Sequence, residues 1–192
     1  MTIELKGNWC KGLAVDIHTL SSTYLGPDEN GHERWENVRS DMGELVYQLK
    51  YHGDRTRIQE ILRHLNRIKG IERMDCLIPI PSTNKTRGFQ PVLEITRALG
   101  AQNGIEVLED ILRKTPGGNE LKGVMDMNER ERQLGEHMQI SRKNAVCGKS
   151  VLLVDDLYRS GATLRAATRL LYEQGGARIV NVLAMTKTRS IR

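Results

Sequence analysis

Val151-Leu152-Leu153-Val154-Asp155-Asp156-Leu157-Tyr158-Arg159-Ser160-Gly161-Ala162-Thr163 is the stretch from which the rest of the chain is read. Its opening run of Val and Leu, preceded by Lys149 and Ser150, predicts a strand buried on both faces. Asp155 and Asp156 are placed at that strand's carboxyl end. A turn of small residues then opens a helix over residues 163–174, with Leu164, Ala167, Leu170 and Leu171 on one stripe. Gly175-Gly176 ends the helix, and residues 179–185 read as another buried strand. Strand, helix, strand at this spacing is a βαβ unit, which requires a parallel sheet.

The chemistry follows from what stands at the strand's end. A parallel sheet presents its ligands outside the carboxyl ends of its strands. Adjacent carboxylates repel, and burying both as ions is costly. A metal, or a sugar diol donating hydrogen bonds, relieves that cost. The turn from Arg159 through Ser160, Gly161, Ala162 and Thr163 leads into a helix N-terminus, where free backbone N–H groups attract an anion. Gly161 allows close backbone approach, and Ser160 and Thr163 add hydroxyls. A diol reader beside a phosphate cradle describes a site for a ribose 5-phosphate group. The stretch is neither a P-loop nor a dinucleotide fingerprint, since no Gly-x-x-x-x-Gly-Lys-Ser/Thr occurs.

Upstream, Leu13, Val15 and Ile17 alternate with polar or small residues and predict a half-buried strand. Residues 23–31, with Gly-Pro and Asn-Gly, read as a turn or loop. Leu45, Val46 and Leu49 recur at helical spacing over residues 41–51. A second helix over 54–68 carries Ile58, Ile61, Leu62, Leu65 and Ile68 on one stripe, with Asp54 as its expected N-cap and Gly70 as its end. Residues 75–81 read as a short buried strand, placed near a sheet edge by Pro79. Residues 91–99 read as a helix with Pro91 in its first turn, and residues 105–112 as partly strand. The polar, glycine-bearing segment 113–136 reads as a lid or an irregular connection. The chain divides near residue 71, into an N-terminal hood with helices (1–70) and a core (71–192).

The stretch 151–163 resembles the phosphoribosyl pyrophosphate (PRPP) binding motif of type I phosphoribosyltransferases. Leu49-Lys50-Tyr51-His52-Gly53-Asp54, Ile78-Pro79-Ile80-Pro81 and Arg87-Gly88-Phe89 are similar to segments of the ComF-like branch of that family. The resemblance implies the α/β type I phosphoribosyltransferase fold, a central, mostly parallel sheet flanked by helices. It implies that Asp155 and Asp156 meet the ribose hydroxyls as the catalytic pair and that Arg159–Thr163 hold the 5-phosphate. It places pyrophosphate against Ser82, Thr83, Asn84, Lys85 and Arg87. It further implies Mg²⁺ carried by PRPP rather than by a dedicated protein cluster, a nitrogen acceptor, and pairing into a homodimer. The alternative reading is a non-catalytic PRPP- or nucleotide-sensing accessory in DNA uptake or processing. Arg159 stands where the family turn has Thr. Gly118 and Glu129-Arg130-Glu131-Arg132 replace the pattern of the family's mobile loop after Thr115.

Composition narrows the field further. The chain has 192 residues, enough for one domain with an added subdomain. With a single Phe and two Trp, its core must be aliphatic. No apolar run of membrane-spanning length occurs and the N-terminus has no apolar signal region, so a cytoplasmic protein is expected. Cys10, Cys76 and Cys147 are too scattered for a zinc ribbon and read as reduced, mostly buried thiols. The net charge of +5 fits an anionic partner, phosphate or nucleic acid. Arg55, Arg57, Arg63, Arg67 and Lys69, near the 54–68 helix, are the candidate DNA contacts.

Overall fold

The computed structural model describes residues 2–82, 88–114 and 138–189. Its centre is a six-stranded sheet in the order β1-β2-β10-β9-β5-β6. These strands are β1 (Ile3–Glu4), β2 (Gly12–Ile17), β5 (Cys76–Pro79), β6 (Glu106–Val107), β9 (Ser150–Tyr158) and β10 (Ile179–Lys187). β1 is antiparallel to β2, and every other pairing in this sheet is parallel. The fold is therefore α/β with a mostly parallel central sheet, as the βαβ unit at 151–185 required.

The strand period of two sends alternate residues to opposite faces, and each face builds its own core. Val151 and Leu153 of β9 pack with Leu164, Ala167 and Leu171 of α4 (Ala162–Glu173). Leu152 and Val154 face the other way, against Val46 of α1 (Asp41–Tyr47), Ile61 of α2 (Arg57–Leu65) and Ile95 of α3 (Pro91–Asn103). Aliphatic residues fill both layers. Burying such a side chain contributes roughly 1.5–3 kcal/mol.

Several elements differ from the sequence expectations. Residues 23–31 are not one loop. They belong to an antiparallel ribbon of β3 (Thr19–Pro27) and β4 (Glu33–Arg39), turned at Asp28–Gly31 where the Asp28 carboxylate accepts the Asn30 and His32 N–H groups. The ribbon is exposed on both faces, so no apolar alternation marked it. The N-cap of α2 is Thr56 rather than Asp54, whose carboxylate instead accepts the Thr56 N–H and hydroxyl. Between α1 and α2 the chain makes a π-helical turn, Gln48–His52, closed by Gly53 at φ 69°.

β5 lies inside the sheet, between β9 and β6, and tolerates Pro79 as its last residue. β9 does not end at Val154 but runs on through both aspartates to Tyr158. Cys76 is buried, and burial pushes its thiol up to about 11, whereas Cys10 and Cys147 are exposed. Arg113 and Lys114 close β7 (Leu112–Lys114), which pairs with β8 (Met138–Ile140). The rest of the expected lid lies outside the described residues. Among the described residues no helix is long and apolar enough to cross a membrane.

Candidate active site

β9 sits between β10 and β5, so its carboxyl end opens in the middle of the sheet. Its first five residues are buried, and exposure begins at Asp155. Asp155 and Asp156, on opposite faces by strand period, line a cavity of about 680 Å³ together with Lys50, Ser82, Lys114 and Arg159. The Asp156 N–H donates to Asp155 Oδ1 at 2.9 Å. Lys50 Nζ reaches the Asp156 carboxylate at 2.6 Å from the π-helical turn, 106 residues away in sequence. The Asp156 carbonyl accepts the hydroxyl of Thr186 on β10 at 3.0 Å.

The two carboxyls differ in environment. Burial, then the neighbouring Asp156 charge, pushes the Asp155 carboxyl up to about 7. Its hydrogen bond from the Asp156 N–H, and the Lys114 and Lys50 charges, oppose that rise without cancelling it. Lys114 is lowered, mainly by burial, while the charges of Asp155 and Asp156 pull it back up.

Beyond β9 the chain turns through Arg159 and Ser160 to Gly161, the N-cap of α4. Gly161 has φ 78°, a left-handed conformation that disfavours any side chain. No side chain caps this helix, and Ser160 Oγ stands 3.5 Å from the Ala162 N–H, at the limit of a hydrogen bond. Arg165 braces the turn from below, its guanidinium donating to the Ser160 carbonyl at 2.8 Å. The first turn of a twelve-residue helix thus has N–H groups for an anion. Arg159 is exposed, and it and Thr163 line the cavity.

The structure brings together Asp155, Asp156, Arg159, Thr163 and Ser82 around one cavity, with Ser160, Gly161 and Ala162 forming the turn beside it. Thr83, Asn84, Lys85 and Arg87 lie outside the described residues. Sequence reading missed Lys50 and Lys114. For Lys50 a signal was present in Leu49-Lys50-Tyr51-His52-Gly53-Asp54, but nothing in that stretch names Asp156 as its partner. Among the described residues no cluster of three or more His, Cys, Asp or Glu is placed to hold a metal. The basic set on the 54–68 segment is partly consumed within the fold. Arg57 pairs with Asp54 at 2.9 Å and Glu60 at 2.8 Å, and Arg55 lies 5.1 Å over the Phe89 ring.

A family model described as the phosphoribosyl transferase domain matches residues 84–191. That is more than half of the chain, and the chain belongs to this family. Among curated proteins, competence protein ComFC of Bacillus subtilis (strain 168) is 38% identical over 58 residues. The match spans 30% of this chain and about a quarter, 24%, of that protein. Similar solved structures include an adenine phosphoribosyltransferase from Thermoanaerobacter pseudethanolicus. It is 16% identical with TM-score 0.48, and the match covers 86% of this chain and 94% of that one. A hypoxanthine phosphoribosyltransferase from Staphylococcus aureus is 16% identical with TM-score 0.41, covering 70% and 68% of the two chains.

Proposed function

We propose that this chain binds Mg²⁺·PRPP and transfers its phosphoribosyl group to a nitrogen acceptor, releasing pyrophosphate. The observation that carries the reading is the juxtaposition of Asp155 and Asp156, at the open end of β9, with the uncapped N-terminus of α4 at Gly161. Asp155 and Asp156 accept hydrogen bonds from the ribose hydroxyls, and the turn 159–163 holds the 5-phosphate through backbone N–H groups and the Ser160 and Thr163 hydroxyls. Ser82 faces the same cavity, so pyrophosphate would extend toward it and the residues that follow, Thr83, Asn84, Lys85 and Arg87.

The carboxylate pair suits a cation that takes most of its oxygens from the ligand's phosphates, as Mg²⁺ commonly does. When bound, Mg²⁺ supplies positive charge that stabilises the departing pyrophosphate. The protein's own contribution is electrostatic preorganisation and orientation of the sugar. Within residues 1–70 the hood in this proposal is the β3–β4 ribbon, which follows β2 at the active end of the sheet, whereas β1, β2, α1 and α2 build the central sheet and its core.

The test is pyrophosphate release from PRPP across a panel of nucleobases and amines. Product with one acceptor, abolished in the Asp155→Asn/Asp156→Asn variant, supports the enzyme. The likeness to a competence protein favours a second reading, a PRPP- or nucleotide-sensing accessory in DNA handling. PRPP binding with no product from any acceptor supports that reading over the first.

A further inference from the structure

The segment before residue 71 supports Asp156 at both of its ends. Lys50 Nζ lies 2.6 Å from the carboxylate, in a pair whose side chains are 27% and 13% exposed. A pair covered to this degree is ordered more firmly than a surface ion pair. At the backbone end, Thr186 donates its hydroxyl to the Asp156 carbonyl, and His18 Nδ1 is 3.1 Å from the same hydroxyl oxygen. The Thr186 proton is already used, so its oxygen accepts from His18, which fixes the tautomer with hydrogen on Nδ1. Thr186 is fully buried, so no solvent replaces either contact.

Lys50 owes its reach to local geometry. It sits in a π-helical turn, whose extra residue per turn shifts side chains off the face that α1 presents. Leu49 beside it is fully buried and anchors that turn in the core beneath β9.

We propose that Lys50 is a positioning residue for the ribose of a furanose phosphate. It offsets the repulsion between Asp155 and Asp156 and aims the Asp156 carboxylate into the cavity, so that the ribose 2-hydroxyl meets an acceptor already in place. The proposal rests on the ribose phosphate reading of the site and assigns this part of the sugar selectivity to the N-terminal segment.

The experiment is calorimetric titration of ribose 5-phosphate and 2-deoxyribose 5-phosphate into the native protein, Lys50→Met and Lys50→Arg. The native protein is expected to prefer ribose 5-phosphate. In Lys50→Met, affinity for ribose 5-phosphate should fall about 10- to 100-fold, the loss of one charge-assisted contact. Affinity for the deoxy sugar should change by less than about 3-fold, because the contact it lacks is the one being aimed. Lys50→Arg should restore most of the preference. Lys50→Met with the native ratio between the two sugars, or with both sugars weakened equally, overturns the proposal. A native protein that does not distinguish the sugars overturns the diol reading on which it rests.

Discussion

Asp155 ties stability to pH at a single residue. Its folded value of about 7 lies above the ordinary 3.8 of a carboxyl. The folded chain therefore holds this proton more tightly than the unfolded chain does. The resulting stabilisation is fully present below the ordinary carboxyl range and is lost as pH rises toward and past 7. Asp155→Asn removes the charged form, so the variant should melt higher than the native protein at pH 8 and nearly level with it at pH 4. An equal gain at both values contradicts the account. Gly161 makes a second residue-scale prediction. At φ 78°, a Cβ there would lie 2.6 Å from the Tyr158 ring, which packs edge-on against Trp9. Gly161→Ala should cost about 1–2 kcal/mol in urea unfolding from the left-handed backbone alone. It should also weaken ribose 5-phosphate binding. Full retention of both properties contradicts the cradle.

At the scale of elements, α1 docks where Gly43 meets the end of β2. A Cβ at Gly43 would come within 2.1 Å of the His18 carbonyl oxygen, and Ser40 caps the helix at the same place, its side chain accepting the Gly43 N–H. Backbone against backbone cannot yield as a side chain would. Gly43→Ala should therefore cost about 1–3 kcal/mol in urea unfolding, and a loss below ~0.5 kcal/mol contradicts the close approach. β9, α4 and β10 were legible because each signal was local: a Val-Leu run, a small-residue turn, an apolar stripe and a Gly-Gly stop. The β3–β4 ribbon was not. Its residues are exposed on both faces, so pairing left no period in the sequence, and Gly26-Pro27 and Asn30-Gly31 read as a single loop. Asp155 and Asp156 were found as a pair because they adjoin. Lys50 and Lys114 were not assigned because only the fold brings them to that pair.

For the whole molecule, two aliphatic cores sandwich one sheet, and the ribbon adds little to either. It carries Leu20, Tyr24, Leu25, Trp35 and Val38 exposed, with the Tyr24 and Trp35 rings 5.0 Å apart and tilted 50° to each other. Replacing residues 20–38 with a short Gly-Ser linker should move the melting temperature by less than about 4 °C, which corresponds to ~1 kcal/mol at this chain length. A larger drop would show that the ribbon supports a core. If the ribbon belongs to the acceptor hood, the shortened protein should keep its affinity for PRPP while losing product formation.

The central claim is that the end of β9 and the turn into α4 together hold a ribose 5-phosphate group. Calorimetric titration of PRPP with Mg²⁺ into the native protein and into Asp155→Asn/Asp156→Asn tests it most directly. The account predicts saturable binding of one PRPP per chain, within the span of about 1 μM to 1 mM common for enzyme substrates. It predicts that the double substitution weakens that binding by at least about 10-fold. Absence of saturable binding to the native protein, or equal binding by the substituted one, contradicts it.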